Sequence, residues 1–143
     1  MQEVVLGIDI GGTFSKYGIV DKSGNVFNEG SVPSDEHPDI NDFIHFLKEE
    51  IFKDFDDQSF NLNGIGIGVP NGNYYKGTIE FAPNLKWKGV IRLAEIVENE
   101  FGLKTVITND ANAAAVGEMI FGDARHMQNF IMITLGTGLG SGI

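Results

Sequence analysis

Apolar positions along this chain follow two periods, and the change between them marks its elements. Val4-Val5-Leu6-Gly7-Ile8-Asp9-Ile10, Tyr17-Gly18-Ile19-Val20 and Asn25-Val26-Phe27-Asn28-Glu29-Gly30 are short β-type runs. Gly11-Gly12-Thr13 and Asp21-Lys22-Ser23-Gly24 separate them, which predicts three strands joined by two tight turns in an antiparallel meander. Val32-Pro33 breaks the pattern, and a polar loop runs to Pro38. Beyond it Ile40, Phe43, Ile44, Leu47 and Ile51 recur at helical spacing behind Asp39. Asp42 stands three residues after Asp39, so the start is close to a capping box. His45 lies off that stripe without a second histidine at ligand spacing, and reads as a surface residue.

Residues 63–70 form the next strand, in which Gly64, Gly66 and Gly68 alternate with Ile65, Ile67 and Val69. One of its faces has no side chains, so another backbone or a ligand must come close there. Asn71-Gly72 predicts a turn, residues 73–81 a hairpin around Lys76-Gly77, and Ala82-Pro83-Asn84-Leu85-Lys86-Trp87 a loop. Val90, Leu93, Ala94, Val97 and Phe101 predict a helix over 90–101, stopped by Gly102. Thr105-Val106-Ile107 is a strand ending at Thr108, and an alanine-rich helix opens within two residues. Asn109 suits its N-cap, and Asp110 its first turn, where a carboxylate meets the positive end of the helix dipole. A last strand over 129–135 runs into a glycine-rich end. The order β-β-β-α-β-hairpin-α-β-α-β predicts an α/β fold with a mixed sheet, a three-strand antiparallel meander plus parallel strands, and helices on its faces.

Composition narrows the classes. A chain of 143 residues is about the size of one domain. Its 42% hydrophobic and 21% charged residues are those of an ordinary globular protein. No apolar run approaches the roughly 18 residues of a membrane span, so no membrane partner is expected. No basic stretch precedes an apolar one at the N-terminus, so no signal peptide is expected and the cytoplasm is the default location. The absence of cysteine excludes disulfides and cysteine-based metal or nucleophile sites in this chain. A net charge of −10 opposes nucleic acid as a partner, because phosphate binding needs a basic surface.

The 19 glycines matter more for their clustering than for their number. Gly11-Gly12-Thr13 joins strand to strand, so it is neither a dinucleotide fingerprint nor a P-loop. Gly136 and Gly138 fit G-x-G, but Ser141 stands where G-x-G-x-x-G needs its third glycine. A turn needs glycine for its own geometry, and one such turn says little. Two of them, each after a strand and the first beside Asp9, point to phosphate, since small residues let backbone N–H groups and a Thr hydroxyl approach its oxygens.

These residues resemble a family. Asp9-Ile10-Gly11-Gly12-Thr13 is similar to the first phosphate loop of sugar kinases in the actin–hexokinase–Hsp70 superfamily, and Gly136-Thr137-Gly138-Leu139-Gly140-Ser141-Gly142 to the second. Thr108-Asn109-Asp110-Ala111-Asn112-Ala113-Ala114-Ala115-Val116-Gly117-Glu118 resembles the segment that distinguishes the ROK branch (repressors, open reading frames and kinases). Gly66-Ile67-Gly68-Val69-Pro70 and Ala82-Pro83-Asn84-Leu85 resemble two further ROK segments in the expected order. The resemblance implies a ribonuclease-H-like lobe and ATP-dependent phosphorylation of a hexose, usually glucose or a relative. It assigns Asp110 as general base, Gly72, Asn84, Asn109 and Asp110 to the sugar, and Asp9 to the Mg²⁺ shell. Gly11, Gly12, Thr13, Lys16, Gly136, Thr137 and Gly138 fall to the nucleotide phosphates.

Two departures qualify that picture. Many ROK kinases carry Lys directly after the Thr of the first loop, whereas this chain has Phe14 there and Lys16 two residues later. Similar variants occur among relatives that use polyphosphate, which leaves the donor open with ATP favoured. The family's second lobe, with its Cys₃His zinc site and a Glu/His pair for the sugar, is also missing. Residues 1–128 are then expected to be the N-terminal lobe and 129–143 the start of the second, cut inside the second phosphate loop. Zinc would belong to the missing lobe, and the chain alone would be an incomplete kinase. Two alternatives stand beside this. A ROK repressor would carry a helix-turn-helix domain ahead of the first strand, against which stand the nearby Met1 and the acidic charge. A stand-alone lobe would associate through a bare sheet edge and core face, as in a homodimer.

Overall fold

The computed structural model describes residues 1–135 and 139–142. Its strands and helices run β1 (Gln2–Ile10), β2 (Phe14–Asp21), β3 (Val26–Pro33), α1 (Ile40–Phe52), β4 (Phe60–Val69), β5 (Gly72–Asn73), β6 (Thr78–Glu80), β7 (Val90–Ile91), α2 (Leu93–Phe101), β8 (Thr105–Asn109), α3 (Asp110–Phe121), β9 (Met132–Leu135) and β10 (Leu139–Gly142). The main sheet has the order β3-β2-β1-β4-β8. β1 pairs antiparallel with β2, and β2 with β3, while β1–β4 and β4–β8 are parallel. The mixed sheet read from the sequence is present, with β1 at its centre.

Alternation explains why β1 is central. Val4, Leu6, Ile8 and Ile10 all point into one core. That face is covered by Phe43, Ile44, Leu47 and Ile51 of α1 and by Leu93 and Val97 of α2, all buried in the same cluster. Trp87 closes the core against Phe43, with ring centroids 4.8 Å apart. A row of glycines crosses the opposite face: Gly18 pairs with Gly7, and Gly7 with Gly66. On that face α3 comes down on β4, where a Cβ on Gly68 would sit 3.2 Å from the Ala113 Cβ. The glycine alternation in β4 therefore admits a helix, as its bare face requires.

Several boundaries differ from those expected. β3 continues through Val32 and Pro33, which pairs with Phe14. Proline is tolerated there because β3 is an edge strand, where no further partner needs its missing N–H. The second helix begins at Leu93, three residues later than expected. Val90 and Ile91 instead pair with Glu80 and Ile79 as an added strand of the small sheet β5-β6-β7. The N-cap of α1 is Asp39, whose carboxylate accepts the N–H groups of Asn41 and Asp42 at 2.7 and 3.2 Å. His45 is on the surface, bonded through Nδ1 to Glu100 at 2.8 Å. At the chain's end, β9 and β10 form an antiparallel pair, and β10 returns to α3: a Cβ on Gly142 would lie 2.7 Å from the Ala111 carbonyl.

Candidate active site

The carboxyl ends of the parallel strands share one edge of the sheet, where ligands bind in open α/β sheets. Register brings the sequence-predicted residues to one level. Asp9 pairs with Gly68, Gly68 with Thr108, and Val69 with Asn109. From Asn109 the chain turns directly into α3. Its side-chain oxygen accepts the N–H groups of Ala111 and Asn112 at 2.9 and 3.4 Å, and the Asp110 Oδ1 also takes the Ala111 N–H at 2.9 Å. Asn109 is thus the expected cap, and Asp110 stands at the positive end of the helix dipole. The small Gly68 permits this, since a Cβ there would come within 3.4 Å of the Asp110 Cα.

Asp9 shares the charge environment of Asp110. Its pKa is raised above the ordinary carboxylate value, first by partial desolvation and then by the Asp110 carboxylate, while Lys16 opposes the shift. Lys16 is the cross-strand partner of Asp9 and is exposed. Asp9 thus senses a second carboxylate as well as one lysine, a setting that favours a bound cation. Among the described residues no group of three or more His, Cys, Asp or Glu could hold a metal ion. A cation here would thus draw most of its ligands from water and phosphate, as Mg²⁺ commonly does.

The Gly11-Gly12-Thr13 turn is tight. The Gly11 N–H donates to the Phe14 carbonyl at 3.1 Å, and a Cβ on Gly11 would lie 2.5 Å from that same oxygen. A Cβ on Gly12 would lie 2.4 Å from the Asn84 carbonyl. The loop read as holding phosphate therefore touches the loop read as holding sugar, with no side chain between them. Thr13 is exposed, and its carbonyl accepts the Ser34 N–H at 2.8 Å. Gly72 lies against the end of β8, where a Cβ would be 2.6 Å from the Thr108 carbonyl. Asn84 is exposed at the same edge. Gly136, Thr137 and Gly138 lie outside the described residues.

Two cavities open near this edge. A trough of about 560 Å³ runs over the glycine row Gly7, Gly18 and Gly66, reaching Asp9 and Lys16 at the strand ends. A second cleft, of about 480 Å³, lies between Gly72, Tyr74, Tyr75, Glu80, Thr108 and Asn112. The first is lined mainly by glycine and aliphatic residues, so the second, with its amide, carboxylate and hydroxyl groups, suits a polyhydroxy ligand better. Tyr74, Tyr75 and Asn112 were not among the residues read from sequence as functional. Asn112 lies within the segment that resembles the ROK branch, and the tyrosines stand out in sequence only as an adjacent pair in an otherwise polar turn.

Comparison with known proteins gives the chain's relatives. The glucokinase of Streptomyces coelicolor is 41% identical over 142 residues, which cover 98% of this chain and 43% of that enzyme. The xylose repressor of Caldicellulosiruptor bescii is 49% identical over 82 residues, covering 56% of this chain and 20% of the repressor. Among solved structures, a ROK family glucokinase from Streptomyces griseus in complex with glucose and AMPPNP superposes with a TM-score of 0.81 at 34% identity. It covers 96% of this chain and 43% of that one. The chain thus spans under half the length of the kinases it matches. Residues 5–143 match the ROK family, and the chain belongs to that family.

Proposed function

We propose that this chain is the N-terminal lobe of a ROK-type hexokinase that transfers the γ-phosphoryl group of ATP to a hexose hydroxyl. The observation that carries the reading is the shared edge: Asp9 stands at the end of β1 and Asn109-Asp110 at the β8–α3 junction, with only β4 between them, and Gly12 packs on the Asn84 loop. The likeness to a glucokinase at 41% identity supports it, as does the likeness to a glucokinase structure in complex with glucose and AMPPNP. Residues 1–128 would form the lobe, with 129–143 leading into the second. Most of the donor site and part of the sugar site would lie in that second lobe.

In this reading Asp110 accepts the proton of the attacking hydroxyl as the new oxygen–phosphorus bond forms and the bond to the ADP oxygen breaks. Bound ATP supplies the phosphoryl group, and Mg²⁺ neutralises its charge. Asp9 would hold the cation through its water shell. The N–H groups of the Gly11-Gly12-Thr13 turn and the Lys16 ammonium would face phosphate oxygens. Asn84, Asn109 and Gly72 would orient the sugar, where an amide offers a hydroxyl both a donor and an acceptor. A positioned carboxylate base contributes about 10²–10⁴ in rate. Asp110→Asn in the full-length protein is therefore expected to lower kcat by at least 10²-fold while the hexose still binds in calorimetry. Near-normal turnover would sink the assignment.

A second reading is a sugar-responsive regulator, favoured by the 49% identity to a xylose repressor over part of the chain. A mobility-shift assay and a coupled kinase assay on the same full-length protein separate the two. Sugar-dependent DNA binding without turnover would select the regulator.

A further inference from the structure

The hairpin tip between β5 and β6 carries Tyr74 and Tyr75, which are 59% and 93% exposed. The backbone beneath them is firmly held. Asn73 Oδ1 accepts the N–H groups of Tyr75 and Lys76 at 3.0 and 3.1 Å. The Gly77 N–H closes the turn onto the Asn73 carbonyl at 2.9 Å, and the Ala94 N–H of α2 donates to the Gly77 carbonyl at 3.0 Å. Gly77 has a φ of +67°, and a Cβ there would lie 2.8 Å from the Ala94 Cβ, so the tip is seated on the start of α2. The tyrosines are thus presented from a fixed base. Their rings meet edge to face, with centroids 5.4 Å apart and planes at 86°.

Both tyrosines line the cleft that Thr108 and Asn112 line from the other side, and those two residues flank Asp110 in the chain. The cleft therefore combines polar groups from the segment that carries the candidate base with two aromatic rings. A pyranose has the matching chemistry, with hydroxyls on its rim and C–H groups on its faces. Asn71 is committed to the hairpin, its amide donating to the carbonyls of Glu80 and Phe81 at 3.0 and 3.1 Å. The Asn73 oxygen is committed to the turn as well. The Asn73 amide nitrogen donates to Glu80 Oε2 at 3.3 Å, so the tyrosine rings are the apolar surface that the cleft offers to a ligand's apolar face.

We propose that Tyr74 and Tyr75 form the distal wall of the sugar site and bind the C–H face of a pyranose whose reacting hydroxyl points to Asp110. This rests on the sugar-kinase reading and adds to it two specificity-determining residues. The chemistry selects a ring-shaped sugar over an open-chain polyol, which has no flat apolar face to offer.

The test compares the full-length wild type with two double variants, Tyr74→Ala/Tyr75→Ala and Tyr74→Phe/Tyr75→Phe. Steady-state kinetics with glucose and with sorbitol, and thermal melts, are the readouts. The alanine pair is expected to raise the glucose KM about tenfold, the equivalent of one aromatic contact. Its kcat, its KM for ATP and its melting temperature should stay unchanged. The phenylalanine pair should retain the wild-type KM, because the ring face makes the contact. An unaltered glucose KM in the alanine pair overturns the proposal, and so does a KM change that comes with a lowered melting temperature. Sorbitol turned over as well as glucose by the wild type also overturns it. A wild type that neither binds nor phosphorylates glucose or another hexopyranose would instead remove the kinase reading, and the wall with it.

Discussion

Asp9 is held in a setting that disfavours its charge. Desolvation at the strand end and the neighbouring Asp110 carboxylate raise its pKa, and Lys16 only partly offsets them. A carboxylate whose folded pKa exceeds its unfolded value makes the folded state less stable once pH rises through the folded pKa. Asp9→Asn is therefore expected to raise the melting temperature at pH 7. The gain should shrink as pH falls through the folded pKa and vanish below the unfolded value of 3.8, where the wild type is protonated in both states. Melts of the two proteins between pH 3 and pH 8 check this, and a constant difference across that range would contradict it. That Asp9 leads into a glycine turn was legible in the sequence, because the motif is contiguous. Its coupling to Asp110 was not, since about a hundred residues separate them and only parallel pairing through β4 brings them to one edge.

Among the elements, α3 shows how local signals and packing divide the work. Its alanine-rich sequence has no strong apolar stripe, and of its residues only Ala111 and Ala115 are buried. The Asn109 cap is therefore a large share of what defines its start. Asn109→Ala should destabilise the fold by about 0.5–2 kcal/mol, and Asn109→Asp, which keeps the capping oxygen, by much less. Urea denaturation followed by the fluorescence of the single, buried Trp87 measures both. The cap and the α1 stripe were readable because each depends on residues within a few positions of one another. The start of α2 was misjudged for the complementary reason. Val90 fits the helical spacing of Leu93 and Val97, but its backbone pairs with Glu80, and that partner lies in another segment. Val90 is left 54% exposed as a result.

At the scale of the molecule, the two faces of the sheet are covered unequally. α1 and α2 bury one face in a continuous core. The other carries α3, the glycine row and the open trough, flanked by exposed Val26 and Val106. Along α3 itself Val116, Met119, Ile120 and Phe121 are each close to half exposed. Apolar surface grouped in this way favours association. The 143-residue polypeptide by itself is expected to self-associate with rising concentration in sedimentation velocity. Val116→Glu, which places a charge on the trough wall, should weaken that association. A chain that stays monomeric at high micromolar concentration would show that the trough is tolerated in water.

What the residues determined on their own were the features written within short windows: strand and helix periods, the Asp39 and Asn109 caps, the glycine turns, and the ordered motifs that resemble the ROK family. Each depends on neighbours a few positions away, where backbone geometry alone sets the spacing. The tertiary structure decided what depends on distant segments meeting. Only the parallel register β1-β4-β8 places Asp9 beside Asp110, and only the packing of two loops sets Gly12 against Asn84. Likewise, only the seating of the hairpin on α2 turns two adjacent tyrosines into a wall of the cleft. Such contacts are fixed by side-chain volume and strand pairing across the whole core, which no local window contains.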